Sequence, residues 1–213
     1  MDIETSNAIK LFFPNPSLVQ VFFEALANSL DAGASQISIC IEIQSFSTPD
    51  TLKITITDNG EGFTDESFDR FKRLLKTQDS YHKGLGRLVF LNYFGRIDVD
   101  STWSTNRRTF VFSESFQGNS KVEKLPKKKS NGTTLVFTKF IRERVKAYDD
   151  IKPGVLKARI IEHFLPTLVE RRCRSPIPLS PTRWAATVAR WKSRASSWRE
   201  THPPQSQRRM LPR

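Results

Sequence analysis

At 213 residues the chain has room for one α/β domain and an appendage, and a domain of about 150 residues buries enough surface to fold alone. Its net charge of +12 is uneven: residues 171–213 hold 11 of the 34 Lys and Arg and one of the 22 Asp and Glu, which leaves +2 for residues 1–170 and no global electrostatic footprint for nucleic acid on that body. Two cysteines, Cys40 and Cys173, make neither a disulfide framework nor a metal site and suit a reduced, cytoplasmic chain.

The chain opens Met-Asp-Ile-Glu, with acids where a signal peptide carries bases, and no apolar run reaches the length of a membrane span, so a soluble protein is expected. Pro14 and Pro16 lead to Ser17, a candidate cap for a helix running to about Ser29 or Leu30. Leu18, Phe22, Ala25, Leu26 and Ser29 form its stripe. Glu24 and Asn28 lie at the stripe's edge, one turn apart on one face, where a carboxylate and a carboxamide can share a site. Ile37, Ile39, Ile41 and Ile43 alternate as in a strand. A second strand, Leu52 to Thr57, delivers Asp58 at its end, where the sheet positions the carboxylate. Asp58-Asn59-Gly60-Glu61-Gly62-Phe63 then sets two glycines beside one acid, which suits a turn passing close to a flat ligand.

Residues 64–75 read as a helix with Phe68, Phe71, Leu74 and Leu75 inward, and the polar, aperiodic stretch 76–83 reads as a mobile lid in which His82 is exposed. Lys83-Gly84-Leu85-Gly86-Arg87 offers glycine-rich backbone donors at the start of another helix, a place for a phosphate. That helix is expected to end at Gly95 as its cap. Strands are expected at Arg96–Trp103, Thr109–Ser115 and Thr133–Phe140, with Lys127, Lys128 and Lys129 in a solvated turn between the last two. A final helix over about 155–170 places Leu156, Ile160, His163, Phe164 and Leu168 on one face, which gives His163 a core role.

Composition shifts near Arg172. The tail has none of the 16 Phe, six of the 12 Pro and three of the four Trp, and disorder is the default for such a segment. Two other readings stand beside it. Trp184, Trp191 and Trp198, spaced by seven, would make an apolar stripe on a basic helix suited to an acidic membrane or a partner groove, and an out-of-frame or truncated end would also produce the abrupt change. The expected domains are therefore 1–170 and a basic tail, 171–213.

Glu24 to Ala32, Asp58 to Gly62, Lys83 to Gly86 and Asn131-Gly132-Thr133-Thr134 follow one another in the order of the four motifs of the GHKL superfamily, which the chain resembles over roughly residues 15–140. That superfamily unites gyrase B subunits, ninety-kilodalton heat-shock chaperones, sensor histidine kinases and MutL-type mismatch-repair proteins. The block E-x-x-x-N-x-x-D-A, residues 24–32, is the most specific part. The resemblance implies an ATP site in which Glu24 is the general base, Asn28 a ligand to Mg²⁺, and Asp58 the acceptor for the adenine amino group. Gly60 and Gly62 would admit the ring, and Lys83, Gly84 and Gly86 would hold phosphate, with Lys83 and Arg87 equally readable as surface bases. Thr133 matches the hydroxyl of the adenine pocket, with Thr134 an open alternative.

An acid four before Asn and an Asp-Ala ending point away from the histidine-kinase branch, as do the sixteen or so residues before the first helix, too few for a phospho-accepting dimerisation segment. Gly84-Leu85-Gly86-Arg87-Leu88 is not the Gly-Phe-Arg-Gly-Glu form of the mismatch-repair branch, so DNA repair is not implied and a chaperone-like branch remains. The expected fold is a two-layer α/β sandwich, a mixed, mainly antiparallel sheet with helices on one face. The expected function is Mg²⁺-dependent ATP hydrolysis, slow because no following transducer domain is recognisable. A client protein, a second copy or the remainder of a larger chain would be the partner. The alternatives are a nucleotide-gated binding module without turnover and a basic-tailed nucleic-acid or membrane adaptor.

Overall fold

Alternating apolar runs and amphipathic helices assemble into two layers in a computed structural model that describes residues 17–44, 48–73, 86–141, 148–174 and 190–193. The elements are α1 (Val19–Asp31), β1 (Ile37–Ile43), β2 (Lys53–Asp58), α2 (Asp65–Arg73), α3 (Leu88–Tyr93), β3 (Phe94–Trp103), β4 (Asn106–Phe112), β5 (Lys121–Lys124), β6 (Gly132–Phe140), α4 (Pro153–Arg174) and β7 (Arg190–Ser193). The sheet order is β5-β4-β3-β6-β2-β1-β7. Every pairing is antiparallel except that of β7 with β1, so the sheet is mixed and mainly antiparallel, as expected.

Register turns the period-2 patterns into rows that cross the sheet. Ile41, Ile54, Phe137, Ile97 and Phe112 are successive cross-strand partners, and Ile39, Ile56, Leu135, Val99 and Phe110 form the next row. Side chains opposite one another in neighbouring strands share a face, so these two rows are the floor of the core. Phe90 of α3 meets Phe137 at 5.1 Å, while Phe68 and Phe71 of α2 meet Phe110 and Phe112 at 5.1 and 5.3 Å. Above them α1 buries Val21, Phe22 and Ala25 completely and touches α3 and α4, and α4 contributes Leu156, Ile160 and Phe164. The other face of the sheet is polar. Thr57 and Thr134 share a hydrogen bond of 3.2 Å there, and Arg107 pairs with Asp100 at 2.6 Å, as a one-sided antiparallel sheet allows.

Several boundaries differ from expectation. α3 ends at Tyr93, and Gly95 is a strand residue rather than a cap, because Phe94 is already extended (φ −133°, ψ 126°) and pairs with Phe140. β4 begins at Asn106 and stops at Phe112: Arg107 and Arg108 find partners that admit them to the sheet, whereas Ser113 to Phe116 close a turn through Phe116 N–H to Ser113 O at 3.0 Å. The charged run Lys121–Lys124 is an edge strand that alternation did not reveal. The expected boundary at residue 170 falls inside α4, and residues 190–193 lie beside β1. His163 is exposed, yet its ring stacks on Phe23 with centroids 4.0 Å apart, so it shields the core's edge instead of entering it. Leu74, Leu75, the expected lid and the rest of the tail beyond Arg174 lie outside the described residues.

Candidate functional site

One row of the sheet is unlike the two beneath it. Ile37, Asp58, Thr133, Ser101, Arg108 and Val122 are successive cross-strand partners, so four polar side chains share one line on the helix-covered face. Burying them demands hydrogen bonds, and each has some. Asp58 Oδ2 accepts from Ser29 Oγ at 3.0 Å, and Asp58 Oδ1 accepts from Gly60 N–H at 2.8 Å. Ser101 Oγ accepts from Phe63 N–H at 2.7 Å, lies 3.0 Å from Gly132 O as donor and 3.1 Å from Thr133 Oγ1. Thr133 is buried on this face, while Thr134 sits on the opposite one against Thr57. Between the two threonines only Thr133 shares the row with Asp58.

The 58–64 turn is held along its length. Asn59 Oδ1 accepts from Ser35 and Gln36 N–H at 2.9 and 2.8 Å, and Glu61 N–H donates to Ala32 O at 2.9 Å. Gly60 packs on Ala32, whose carbonyl a Cβ at residue 60 would approach to 2.8 Å. Gly62 has φ +82°, and a Cβ there would strike the Thr102 carbonyl, so its backbone conformation and its space both require glycine.

The second half of the site lies further along α1. Ser29 reaches Asp58, and five residues earlier, about 7.5 Å back along the axis, stands Glu24. Asn28 Nδ2 donates to Glu24 Oε1 at 3.3 Å, which leaves Asn28 Oδ1 as an acceptor. Gly86 touches the Glu24 carboxylate so closely that a Cβ at residue 86 would overlap it. The next residue, Arg87, is 8% exposed, donates to Phe71 O at 3.0 Å and lies 4.0 Å from the Phe71 ring centroid. The motif segments carrying Glu24, Asn28, Asp58, Gly60, Gly62, Gly86 and Thr133 thus meet around α1 and one end of the sheet. Lys83 and Gly84 lie outside the described residues.

Electrostatics set the site apart from the surface. Burial raises the Glu24 carboxyl above its ordinary value, against the lowering effects of the Asn28 hydrogen bond and the Arg87 charge, with Asp31 adding to the rise. Burial also raises Asp58, opposed by Gly60 N–H, the Ser29 hydroxyl and Thr133 N–H. Burial pushes Arg87 down to about 10 while Glu24 holds it up, so the guanidinium stays charged at neutral pH. A half-buried carboxylate of raised basicity beside a glycine backbone can accept a proton from water. A carboxylate on the polar row can accept a hydrogen bond from an amine.

Ser29, Ser101 and Arg108 were missed in the sequence. Ser101 follows Ile97 and Val99 at period 2, and Arg108 precedes Phe110 and Phe112 in the same way, so polar residues at core positions were the signal. A shallow cleft of about 500 Å³ at the other end of the sheet, lined by Gly95, Arg96, Ser113 and Lys139 among others, touches none of these groups.

The profile of the histidine kinase-, DNA gyrase B- and HSP90-like ATPases matches residues 15–140. The chain belongs to that ATPase family. No curated protein sequence matches it. Solved structures that match include the N-terminal domain of a DNA repair protein, with 18% identity, a TM-score of 0.46 and coverage of 79% of this chain and 44% of that one. Another is the Aquifex aeolicus MutL ATPase domain complexed with ADP, with 20% identity, a TM-score of 0.45 and coverage of 70% and 55%. The chain spans about half the length of these structures. Membership of the ATPase family covers the segments that build the site, from α1 to β6, and leaves α4 and β7 outside the match.

Proposed function

We propose that the chain binds ATP with Mg²⁺ between α1, the 58–63 turn and the segment ending at Gly86, and hydrolyses it slowly. The observation that carries this reading is the convergence of an acid–amide pair, Glu24 and Asn28, with a glycine backbone at 86 and a buried polar row at Asp58 and Thr133. The donor set fits the nucleotide. A carboxylate has about four lone-pair positions, and two protein groups, the Ser29 hydroxyl and Gly60 N–H, donate to Asp58 within hydrogen-bond distance, so acceptor capacity remains for an exocyclic amine. It also fits the ion: Mg²⁺ keeps several waters and needs few protein oxygens, and Asn28 Oδ1 is the acceptor that the Glu24 contact leaves over.

In this reading Asp58 orients adenine, Thr133 completes the pocket, and Gly60 and Gly62 keep side chains out of the ring's path. Lys83, Gly84 and Gly86 hold the phosphates through a charge and backbone N–H groups. Bound Mg²⁺ supplies charge neutralisation on the phosphate oxygens. Glu24 takes the proton of a water whose oxygen forms the new bond to the terminal phosphorus as the bond to the ADP oxygen breaks. Apart from 171–174 in α4 and 190–193 beside β1, residues 171–213 are a tail to the ATP-binding domain, and nucleotide occupancy is transmitted to a protein client, a second copy or further chain. The chaperone-like branch and a cytoplasmic setting belong to the same proposal. Among the described residues no helix is long and apolar enough to cross a membrane.

Single-turnover hydrolysis measured beside equilibrium binding tests the chemistry. Glu24→Gln is expected to bind MgATP as the parent does and to lose about 10²- to 10⁴-fold in rate, the usual share of a general base. Hydrolysis by Glu24→Gln at the parent rate would remove Glu24 from the base role. A parent that binds ATP without turning it over would leave the nucleotide-gated module as the function.

A further inference from the structure

We infer that Arg108, acting with Ser101, is a positioning residue for the adenine-binding turn, an inference that rests on the nucleotide reading above. The guanidinium is almost fully buried, with a side-chain exposure of 4%, and burial of that kind is costly unless its donors are met. The turn meets its Nη donors, while Nε is buried without a hydrogen-bond partner among the described residues. Nη1 donates to Phe63 O at 2.9 Å and Thr64 O at 2.7 Å, and Nη2 donates to Asp65 Oδ1. The aromatic faces of Phe68 and Trp103 lie 4.4 and 4.9 Å from its central carbon. Its carboxylate partner, Asp65, is 85% exposed, so the ion pair is the weak part of the arrangement and the two carbonyls are the strong part.

Ser101 completes the clamp from the adjacent strand. Its Oγ holds Phe63 N–H, so both backbone polar groups of Phe63 are tied to sheet side chains, one from β3 and one from β4. Ser101 and Arg108 are direct cross-strand partners, and the same row continues through Thr133 to Asp58. The row therefore fixes the turn at its start, through Asp58 and Gly60, and at its finish, through Phe63 and Thr64. Gly62, between them, lies against the Thr102 carbonyl and Ser101 Oγ. Nη1 alone reaches the two successive carbonyls while Nη2 reaches the Asp65 carboxylate, so the planar guanidinium grips the turn at three acceptors. Arg108 touches neither base nor phosphate in this arrangement; it sets where Asp58 and the glycines stand.

A double-mutant cycle separates this role from plain stabilisation. ATP affinity is measured by calorimetry for the parent, Arg108→Met, Asp58→Asn and the double variant, each first shown folded by a cooperative melt. A loss of folded population lowers apparent affinity by the same factor in either background, so a merely structural Arg108 gives multiplying losses. A residue that acts through the Asp58 turn gives losses that do not multiply. The expected result is a weakening of about tenfold or more in Arg108→Met and a double variant within about threefold of Asp58→Asn alone. Multiplying losses, or unchanged affinity in folded Arg108→Met, would overturn the inference. If Arg108→Met does not fold, Ser101→Ala replaces it in the same cycle with the same two outcomes. A parent that does not bind ATP would instead sink the nucleotide reading on which the clamp rests.

Discussion

Gly86 and Glu24 touch with no room for a methyl group between them, and the atoms that a Cβ would meet are the end of a flexible side chain. Gly86→Ala should therefore fold with little loss of stability but push the Glu24 carboxylate aside, and turnover should fall while the melting temperature moves by no more than a few degrees. A fall in stability as large as that in rate would mean that the contact is structural. Glu24 also gives the site a pH signature. The folded state retains protons on Glu24 and Asp58 at pH values where the unfolded chain has released them, because burial raises both carboxyls. Their contribution to stability is complete at low pH and is lost as pH rises through the raised values, from about 4 upward. Nucleotide-free Glu24→Gln should accordingly gain on the parent in thermal melts as pH climbs from 4 to 7. A constant difference across that range would contradict the burial of a charged Glu24.

At the scale of elements, the apolar rows were legible because period 2 is hard to imitate: Ile37 to Ile43 and Ile54 with Ile56 read directly as strands facing one core. The motif residues on α1 and at the end of β2 were equally legible, since 3.6-residue and two-residue periods place Glu24, Asn28 and Asp58 without knowledge of the partner elements. What the sequence hid were features that depend on register. Period 2 sets Ser101 and Arg108 on the core faces of their own strands, but only the alignment of β3, β4 and β6 brings them onto the Asp58 row. Lys121–Lys124 hid because an edge strand needs no apolar pattern. The core itself yields a direct test. Phe137 is fully buried at the sheet's centre, with ring centroids 5.1 and 5.4 Å from Phe90 and Phe94, and Phe137→Ala should cost about 3 to 5 kcal/mol in chemical denaturation. A cost under 1 kcal/mol would show that α3 does not seal against β6.

Across the whole molecule, division of labour follows from one-sided burial. The solvent face of the sheet carries paired charges and threonines, and the helical face carries two apolar rows for stability and one polar row, to which the proposed function assigns the ligand. The polar row ends at the strand termini, where the connecting turns emerge, so rigid strands hold its side chains in place. The most direct test is calorimetric titration of the parent and Asp58→Asn with ATP at saturating Mg²⁺. Removing a charged acceptor from a buried amine costs roughly 1.5 to 3 kcal/mol, so the expected result is ATP binding by the parent and an affinity about ten- to a hundredfold weaker in Asp58→Asn. No ATP binding by the folded parent, or equal affinity in the two proteins, would contradict the assignment of the polar row to adenine.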